Sequence, residues 1–154
     1  KKFKEIKFFI TSPNFDKGSK EIKKKIINFT KKNSNFIFFK SLGFENYLSL
    51  VNISDGVIGN SSSGIIEVPS LKKATINIGN RQQGRSRSSS VIDCKLDVNS
   101  IENSIRKIYS KSFQSKIKKV NNVYEKKNTT SRIYLEIMNI IKKKNLIKKF
   151  HLNV

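Results

Sequence analysis

Short apolar segments alternate with amphipathic segments along this chain of 154 residues, and the alternation predicts an α/β fold. Runs such as Lys7–Thr11 and Asn35–Phe39 are mostly apolar, as strands buried in a parallel sheet are. In the segments between them, apolar residues recur at spacings of three and four, the period of a helix with one buried face. We therefore expect a parallel sheet of five or six strands with helices on both faces.

The chain up to residue 78 predicts four strands separated by helices. Pro13 ends the first strand because it has no N–H to donate to a strand ladder. Ile22, Ile26 and Phe29 give the first helix its apolar face. The expected elements are a strand at Lys7–Thr11, a helix capped by Ser19, a strand at Asn35–Phe39, a helix from Glu45 to about Asn52, a strand at Gly56–Gly59, a short helix from about Gly64 and a strand at Ala74–Ile78.

The remaining residues predict one more strand and two helices. Ser90–Cys94 is expected to form a fifth strand, with Cys94 buried at its end. Val98–Ile108 has the spacing of an amphipathic helix, whereas residues 113–130 are less regular. Ser131 to about Lys149 predicts a last helix with a stripe of isoleucines. The stripe is larger than one small lobe needs, so we expect it to leave apolar surface exposed.

The formal net charge of +21 has two interpretations. Over-use of Lys, Asn, Ile and Phe is typical of AT-rich genomes, whereas a basic surface also suits nucleic acid or an anionic membrane. Lysine and arginine are absent from Ser41–Leu71, the stretch with the strongest motif. No zinc-finger, RNP or helix-turn-helix signature accompanies the charge. A basic nucleic-acid-binding module is therefore an alternative that the sequence disfavours.

Cysteine usage and hydropathy bear on the compartment. The single cysteine, Cys94, excludes an internal disulfide and suits a reducing cytosol. Lysines interrupt the opening residues, so no secretory signal is predicted there, and no apolar stretch is long enough to span a membrane. We expect a cytoplasmic protein without membrane contact. Metal-ligand residues do not cluster in the sequence, so we expect no metal and no cofactor.

The strongest motif is GNSSSGIIE, Gly59–Glu67, which joins a predicted strand to a predicted helix. Glycines permit close approach of the backbone, and a helix start offers unpaired N–H groups to an anion. Hydroxyls of Ser61 and Ser62 add donors suited to a diphosphate. No Lys follows the second glycine, so this is not a Walker loop. An ordinary serine-rich cap before a helix is the alternative, and the motif alone does not separate the two.

Glu67 closes the motif and bears on its function. A carboxylate in this place can accept hydrogen bonds from ribose hydroxyls, as acidic residues do in dinucleotide folds. The alternative is a glutamate that complements the helix dipole. A capping box would need Ser or Thr at position 64, where Gly64 stands, so that form of the alternative is weakened.

Two further loops fall at the same predicted edge of the sheet, where parallel strands end and ligands bind. Asn77–Arg85 carries Arg81 and Arg85, whose guanidinium groups suit phosphate, although an exposed basic loop has the same composition. Thr11–Glu21 carries Asn14, which suits a base or a sugar but also forms Asx turns. Each of these signals is weak when taken alone.

Taken in order, the motifs SPNxDxGSKE, FENYLSLV, GNSSSGIIE, TINIGNRQxGR and SVIDC resemble UDP-N-acetylglucosamine 2-epimerases, from about Lys7 to Ile108. The similarity is to the hydrolysing branch, which makes N-acetylmannosamine-type sugars for sialic, legionaminic and related acids. The resemblance implies the C-terminal Rossmann-like lobe of a two-lobe, glycosyltransferase-B-like fold, with UDP and UDP-sugar as ligands in the cleft. Residues 1–120 would form the UDP-binding lobe, and 121–154 a helix that packs toward the missing N-terminal lobe.

The resemblance also assigns roles by position. It implies that the nucleotide contacts Asn14, uracil the backbone of Leu42, the diphosphate Ser61 and Ser62, and ribose Glu67, with Arg81 also in the UDP site. Leu42 matches by position only. The catalytic carboxylates and cleft histidine of the family belong to its N-terminal part, and His151 in the tail matches neither. We therefore expect no catalytic residue here, an inactive lobe when alone, and a full enzyme that can form homo-oligomers.

Two alternatives share the same nucleotide site. A non-hydrolysing epimerase would return UDP to the intermediate, where the hydrolysing branch adds water instead. A glycosyltransferase lobe would have the same fold and UDP site with a different partner half. The sequence upstream of this lobe distinguishes them, because the epimerases carry their carboxylates there.

Overall fold

The computed structural model describes residues 3–14 and 16–142, and it confirms the α/β prediction. These residues form five strands and six α-helices, which alternate as far as β4. In chain order they are β1 Phe8–Thr11, α1 Ser19–Lys31, β2 Phe36–Phe39, α2 Gly43–Ile53, β3 Gly56–Gly59, α3 Ser63–Ile66, a 3-10 turn at Val68–Leu71, β4 Ala74–Ile78, β5 Val91–Cys94, α4 Val98–Ile108, α5 Lys111–Lys118 and α6 Thr129–Lys142.

All described strand pairs are parallel, but the strands form two sheets and not the single sheet of five or six strands expected above. One sheet has the order β1-β2 and the other β3-β4-β5. The chain passes from the first sheet to the second through α2. In a doubly wound sheet this connection is the switch point of the strand order. The prediction of parallel pairing was therefore right, and the prediction of one continuous sheet was wrong.

The buried core belongs to the second sheet. It joins β4 and β5 to α4 and α5 through a cluster of eight buried residues: Ala74, Ile76, Ile92, Cys94, Ile105, Ile108, Phe113 and Ile117. No described residue before Val51 is buried. The first sheet depends instead on aromatic contacts, such as the stacked rings of Phe8 and Phe36 at 4.6 Å. Burial of Cys94 at the end of its strand was predicted and is confirmed.

Two local predictions about helices were wrong. Ser19 is the first residue of α1 and does not cap it; Gly18 takes the N-cap with a φ of 86°, without a side-chain hydrogen bond. Residues 111–118 form α5, although the segment from 113 had no clear periodicity. The α5 helix is held by Phe113 and Ile117, a single buried pair at a spacing of four, which is too short a pattern to reveal a helix.

The apolar stripe of α6 is exposed, as predicted for its described part. None of its residues is buried, and Ile133, Ile137 and Ile141 are each at least half exposed. The predicted continuation to Lys149 lies outside the described residues. Of the helices described, none is long and apolar enough to cross a bilayer.

Candidate functional site

The candidate site lies where β3 and β4 end. These strands pair in parallel with Gly59 opposite Asn77, so their carboxyl ends lie side by side. The serine-rich loop, residues 60–62, follows β3, and the arginine loop, residues 79–87, follows β4. The two strongest motifs of the sequence therefore leave the same edge of one sheet, as ligand-binding loops do in α/β folds.

Close packing against β4 fixes the start of α3. Thr75 Oγ1 donates a 2.6 Å hydrogen bond to the carbonyl oxygen of Gly64, and both residues are buried. A Cβ atom on Gly64 would lie 2.7 Å from Thr75 Cγ2, closer than carbon atoms approach. The close approach of α3 to β4 therefore explains why the motif has a glycine at position 64. This contact also fixes the start of α3, which directly follows the serine-rich loop.

The three serines of the motif, two in the loop and Ser63 at the start of α3, have different partners. Ser63 Oγ lies 2.8 Å from Tyr47 Oη of α2, whereas Ser61 Oγ accepts only a long, 3.4 Å bond from the Ser63 N–H. Ser62 is the N-cap of α3, but its side chain caps no N–H group. The capping alternative for the motif is therefore not realised at Ser62. The hydroxyls of Ser61 and Ser62 keep most of their hydrogen-bonding capacity.

The α3 helix itself contributes less to anion binding than the sequence suggested. It has four residues, a single turn, so few peptide dipoles add along its axis. An anion at this loop would depend mainly on hydroxyls, local N–H groups and arginine.

Glu67 lies at the end of α3, where it is the C-cap. Its side chain is half-buried, and Oε2 is shielded from solvent without a hydrogen-bond donor among the described residues. A shielded carboxylate oxygen without a donor is unfavourable, since it loses water and gains no partner. Glu67 therefore does not complement the start of α3, but it is the N-cap of the 3-10 turn Val68–Leu71, where its side chain forms no capping hydrogen bond.

The arginine loop is folded around Arg87. Arg87 Nη2 donates to the carbonyl oxygen of Gln82 at 3.0 Å, and Nη1 donates to that of Arg85. Its Nε lies 2.7 Å from an oxygen of Asp93 on β5, a residue that Asn77 also contacts at 2.7 Å. Arg81 is exposed and forms no ion pair among the described residues. Arg87 is thus an internal support of the loop, whereas the Arg81 side chain is exposed.

Two residues with roles at this edge were missed by the sequence reasoning. Gln82 is 4% exposed, and its Nε2 donates a 2.8 Å hydrogen bond to the carbonyl oxygen of Asn60, joining the arginine loop to the serine-rich loop. Tyr47 lies on α2, and its hydroxyl is 2.8 Å from Ser63 Oγ at the start of α3. A glutamine within a polar loop and a tyrosine on a helix give no signal of these contacts.

The structure does not link Asn14 and Leu42 to the serine-rich loop by hydrogen bonds in the described part of the chain. Asn14 is exposed after β1, and Leu42 is the half-buried N-cap of α2. Both follow carboxyl ends of strands in the first sheet. The α2 helix, of which Leu42 is the N-cap, contacts Ser63 of α3 through the Tyr47 hydroxyl. Within residues 3–14 and 16–142, no group of three His, Cys, Asp or Glu side chains is arranged to hold a metal ion.

Comparison with known proteins gives a consistent match. The family model described as UDP-N-acetylglucosamine 2-epimerase matches residues 1–138. The chain is 43% identical over 138 residues to the Polysialic acid biosynthesis protein P7 of Escherichia coli, covering 90% of this chain and 35% of that protein. It is 39% identical over 112 residues to the GDP/UDP-N,N'-diacetylbacillosamine 2-epimerase (hydrolyzing) of Campylobacter jejuni, covering 72% and 29%.

A Legionella pneumophila protein, UDP-N,N'-diacetylbacillosamine 2-epimerase (hydrolyzing), is 32% identical over 129 residues, covering 84% of this chain and 33% of that protein. The chain therefore spans about a third of the length of these curated relatives.

Proposed function

The chain belongs to the UDP-N-acetylglucosamine 2-epimerase family, and from that premise we propose that the edge of β3 and β4 binds the UDP part of a nucleotide sugar. In this proposal Ser61, Ser62 and Arg81 hold the diphosphate, and Glu67 holds ribose. Asn14 and the backbone of Leu42 contact the nucleoside from the first sheet.

The observation that carries the proposal is the unpartnered Oε2 of Glu67. A buried carboxylate oxygen normally has a donor, and the exceptions in native structures call for an explanation. Ribose supplies two vicinal alcohol donors, a pair that inorganic phosphate and pyrophosphate do not have. The orphaned oxygen lies at the end of α3, the helix that begins at the serine-rich loop, so a nucleotide with its diphosphate on that loop would place ribose one turn farther on.

In the whole protein, we propose that this lobe serves a hydrolysing 2-epimerase that releases UDP and an N-acetylmannosamine-type sugar. Relatives from Campylobacter jejuni and Legionella pneumophila whose names include "hydrolyzing" support that branch. Negative charge develops on the diphosphate as its bond to the sugar breaks. Fixed hydroxyl donors and the Arg81 guanidinium would stabilise this charge, and losing one such donor typically raises a barrier by about 3 kcal/mol. The 154-residue chain alone is expected to bind without turnover.

The test compares UDP with inorganic pyrophosphate by isothermal titration at about 0.15 M salt, where long-range attraction is screened. Since the chain spans about a third of its relatives, we expect weak UDP binding, with a Kd on the order of 1 mM. Glu67→Gln should weaken UDP by about 1–2 kcal/mol, because a charged acceptor of ribose hydroxyls is lost. It should leave pyrophosphate binding unchanged, because pyrophosphate has no ribose.

Ser61→Ala and Arg81→Ala should weaken both ligands. General attraction of polyanions to the net charge of +21 makes the opposite prediction for Glu67→Gln. Removing a negative charge would then tighten both ligands alike. UDP binding to Glu67→Gln that equals or exceeds binding to the parent would exclude the ribose role of Glu67.

A further inference from the structure

Gln82 is the one buried residue of the arginine loop, 79–87. Its Nε2 donates to the Asn60 carbonyl oxygen at 2.8 Å, across 22 residues of sequence. The carbonyl oxygen of Gln82 accepts from Arg87 Nη2 at 3.0 Å and from the Arg85 N–H at 3.3 Å. Gln82 is therefore fixed at both its side chain and its backbone, and it spans from the loop after β3 to the loop after β4.

The other end of the Gln82 amide is unpaired. Its Oε1 is buried and has no hydrogen-bond partner among the described residues. An unsatisfied buried acceptor is unfavourable, which argues against a glutamine that serves stability alone. The carbonyl oxygen of Asn60 needs a donor, which Gln82 Nε2 supplies. A methionine in place of Gln82 would offer no donor. A glutamate would place a negative charge beside the carbonyl oxygen, and a lysine would bury a cation.

The position of Gln82 in the chain gives this contact a functional consequence. Arg81 directly precedes it, and Ser61 directly follows Asn60. The 2.8 Å bond thus connects the neighbours of Ser61 and Arg81, two of the three residues that the proposed function assigns to the diphosphate. We propose that Gln82 is a positioning residue that sets the separation of the Ser61 hydroxyl and the Arg81 guanidinium, so that one diphosphate can engage both. The diphosphate ligand in this proposal rests on the proposed function, whereas the contact between the two loops does not depend on it.

The first experiment needs no ligand. Hydrogen exchange of the 154-residue chain is compared between the parent, Gln82→Met, Gln82→Glu and Gln83→Met. Methionine keeps the length of the side chain without a donor, and glutamate keeps the acceptor without the donor. Gln83 is the matched control, because it is the adjacent glutamine and is exposed. We expect both Gln82 variants, but not Gln83→Met, to lose amide protection in the segments 60–64 and 81–85 together.

The second experiment measures the affinity for UDP. In the parent, Arg81→Ala should weaken UDP about tenfold, the size expected for one charge-assisted hydrogen bond. In the Gln82→Met background, the same substitution should weaken UDP less than about twofold, because a displaced arginine no longer reaches the diphosphate. A residue that merely stabilises the fold would lower the unfolding free energy and leave the tenfold effect of Arg81→Ala intact, and that result overturns the proposal.

The two experiments separate failure of this proposal from failure of the proposed function. If the parent binds neither UDP nor pyrophosphate, the proposed function is wrong, and the exchange data alone decide whether Gln82 fixes the two loops. Loss of protection in both loops supports its positioning role. Unchanged protection in Gln82→Met and Gln82→Glu overturns it, whatever the ligand does.

Discussion

Arg87 Nε lies 2.7 Å from Asp93 Oδ2 and 2.9 Å from Asp93 Oδ1, an ion pair that ties the arginine loop to β5. The same guanidinium donates to the carbonyl oxygens of Gln82 and Arg85. Arg87 therefore supports the arginine loop from within, whereas the Arg81 side chain of the same loop is exposed.

Arg87→Ala should open the arginine loop. The Arg87 and Asp93 side chains are 24% and 54% exposed, so the ion pair and the two carbonyl contacts together should contribute about 1 kcal/mol to the unfolding free energy. Denaturant unfolding measures this loss, and titration should show weaker pyrophosphate binding. Arg85→Ala is the control for charge, since it removes one guanidinium from an exposed position of the same loop. Equal effects of the two substitutions would show that charge alone matters.

Gly64→Ala should destabilise the chain through one identified contact. The new methyl group would meet Thr75 Cγ2 at 2.7 Å, and such overpacking typically costs about 1–3 kcal/mol. Thr75→Ser removes that methyl group and keeps the hydroxyl that donates to the residue 64 carbonyl. The double variant should therefore recover most of the loss in chemical denaturation. If the double variant lost as much unfolding free energy as the two single variants lose together, this packing account would be contradicted.

The unfolding free energy of the chain should fall at alkaline pH as Tyr109 loses its proton. Burial and then the hydrogen bond to Asp55, at 3.1 Å, raise the pKa of Tyr109 from 10.0 to about 12. The folded state then holds its proton more tightly than the unfolded state, so this stabilisation is complete below pH 10 and is lost as pH rises from 10 to about 12. Since Tyr109 is 45% exposed, solvent screening limits the contribution to about 1 kcal/mol or less.

The measurement for Tyr109 is the difference in unfolding free energy between the parent and Tyr109→Phe, followed from pH 8 to pH 12 in steps of about one unit. The difference should be constant up to pH 10 and should then shrink, while lysine titration affects both proteins alike. A difference in unfolding free energy that grows with pH would mean that folding lowers the pKa of Tyr109, and it would exclude the raised pKa.

The exposed stripe of α6 should contribute little to the stability of this chain. Ile137 is 50% exposed, whereas Ile117 of α5 is 4% exposed. Ile117→Ala should lower the unfolding free energy by about 2–5 kcal/mol, as large-to-small changes in a core do. Ile137→Ala should stay within about 0.5 kcal/mol of the parent, as substitutions at exposed positions do. Comparable losses at both positions would mean that α6 is packed against the lobe in solution.

The sequence predicted the order of elements well because each strand and helix carries its own pattern. The helix predicted at Val98–Ile108 has the same first and last residues in the structure, because four apolar positions repeat across it. The division into two sheets could not be predicted, because pairing between β1 and β3 depends on long-range geometry and not on the composition of either strand. The candidate site followed the same rule. Ser61 and Arg81 stand in motifs, whereas the burial of Gln82 and the anchoring by Arg87 arise only when two loops meet.

The uneven distribution of buried residues has a consequence for the order in which the chain opens. Residues 3–14 and 16–50 have no buried side chain, while the core gathers between Val51 and Val120. Cooperative units with few buried contacts open at low free energy, so the β1–α1–β2 unit should exchange its amides well before the second sheet does. Asn14 lies in the β1–α1–β2 unit, whereas Glu67 and Arg81 lie in the part of the chain that contains the buried core. A nucleotide that contacts both units would therefore use part of its binding free energy to order the first, and its binding would be visible as new amide protection in β1 and β2.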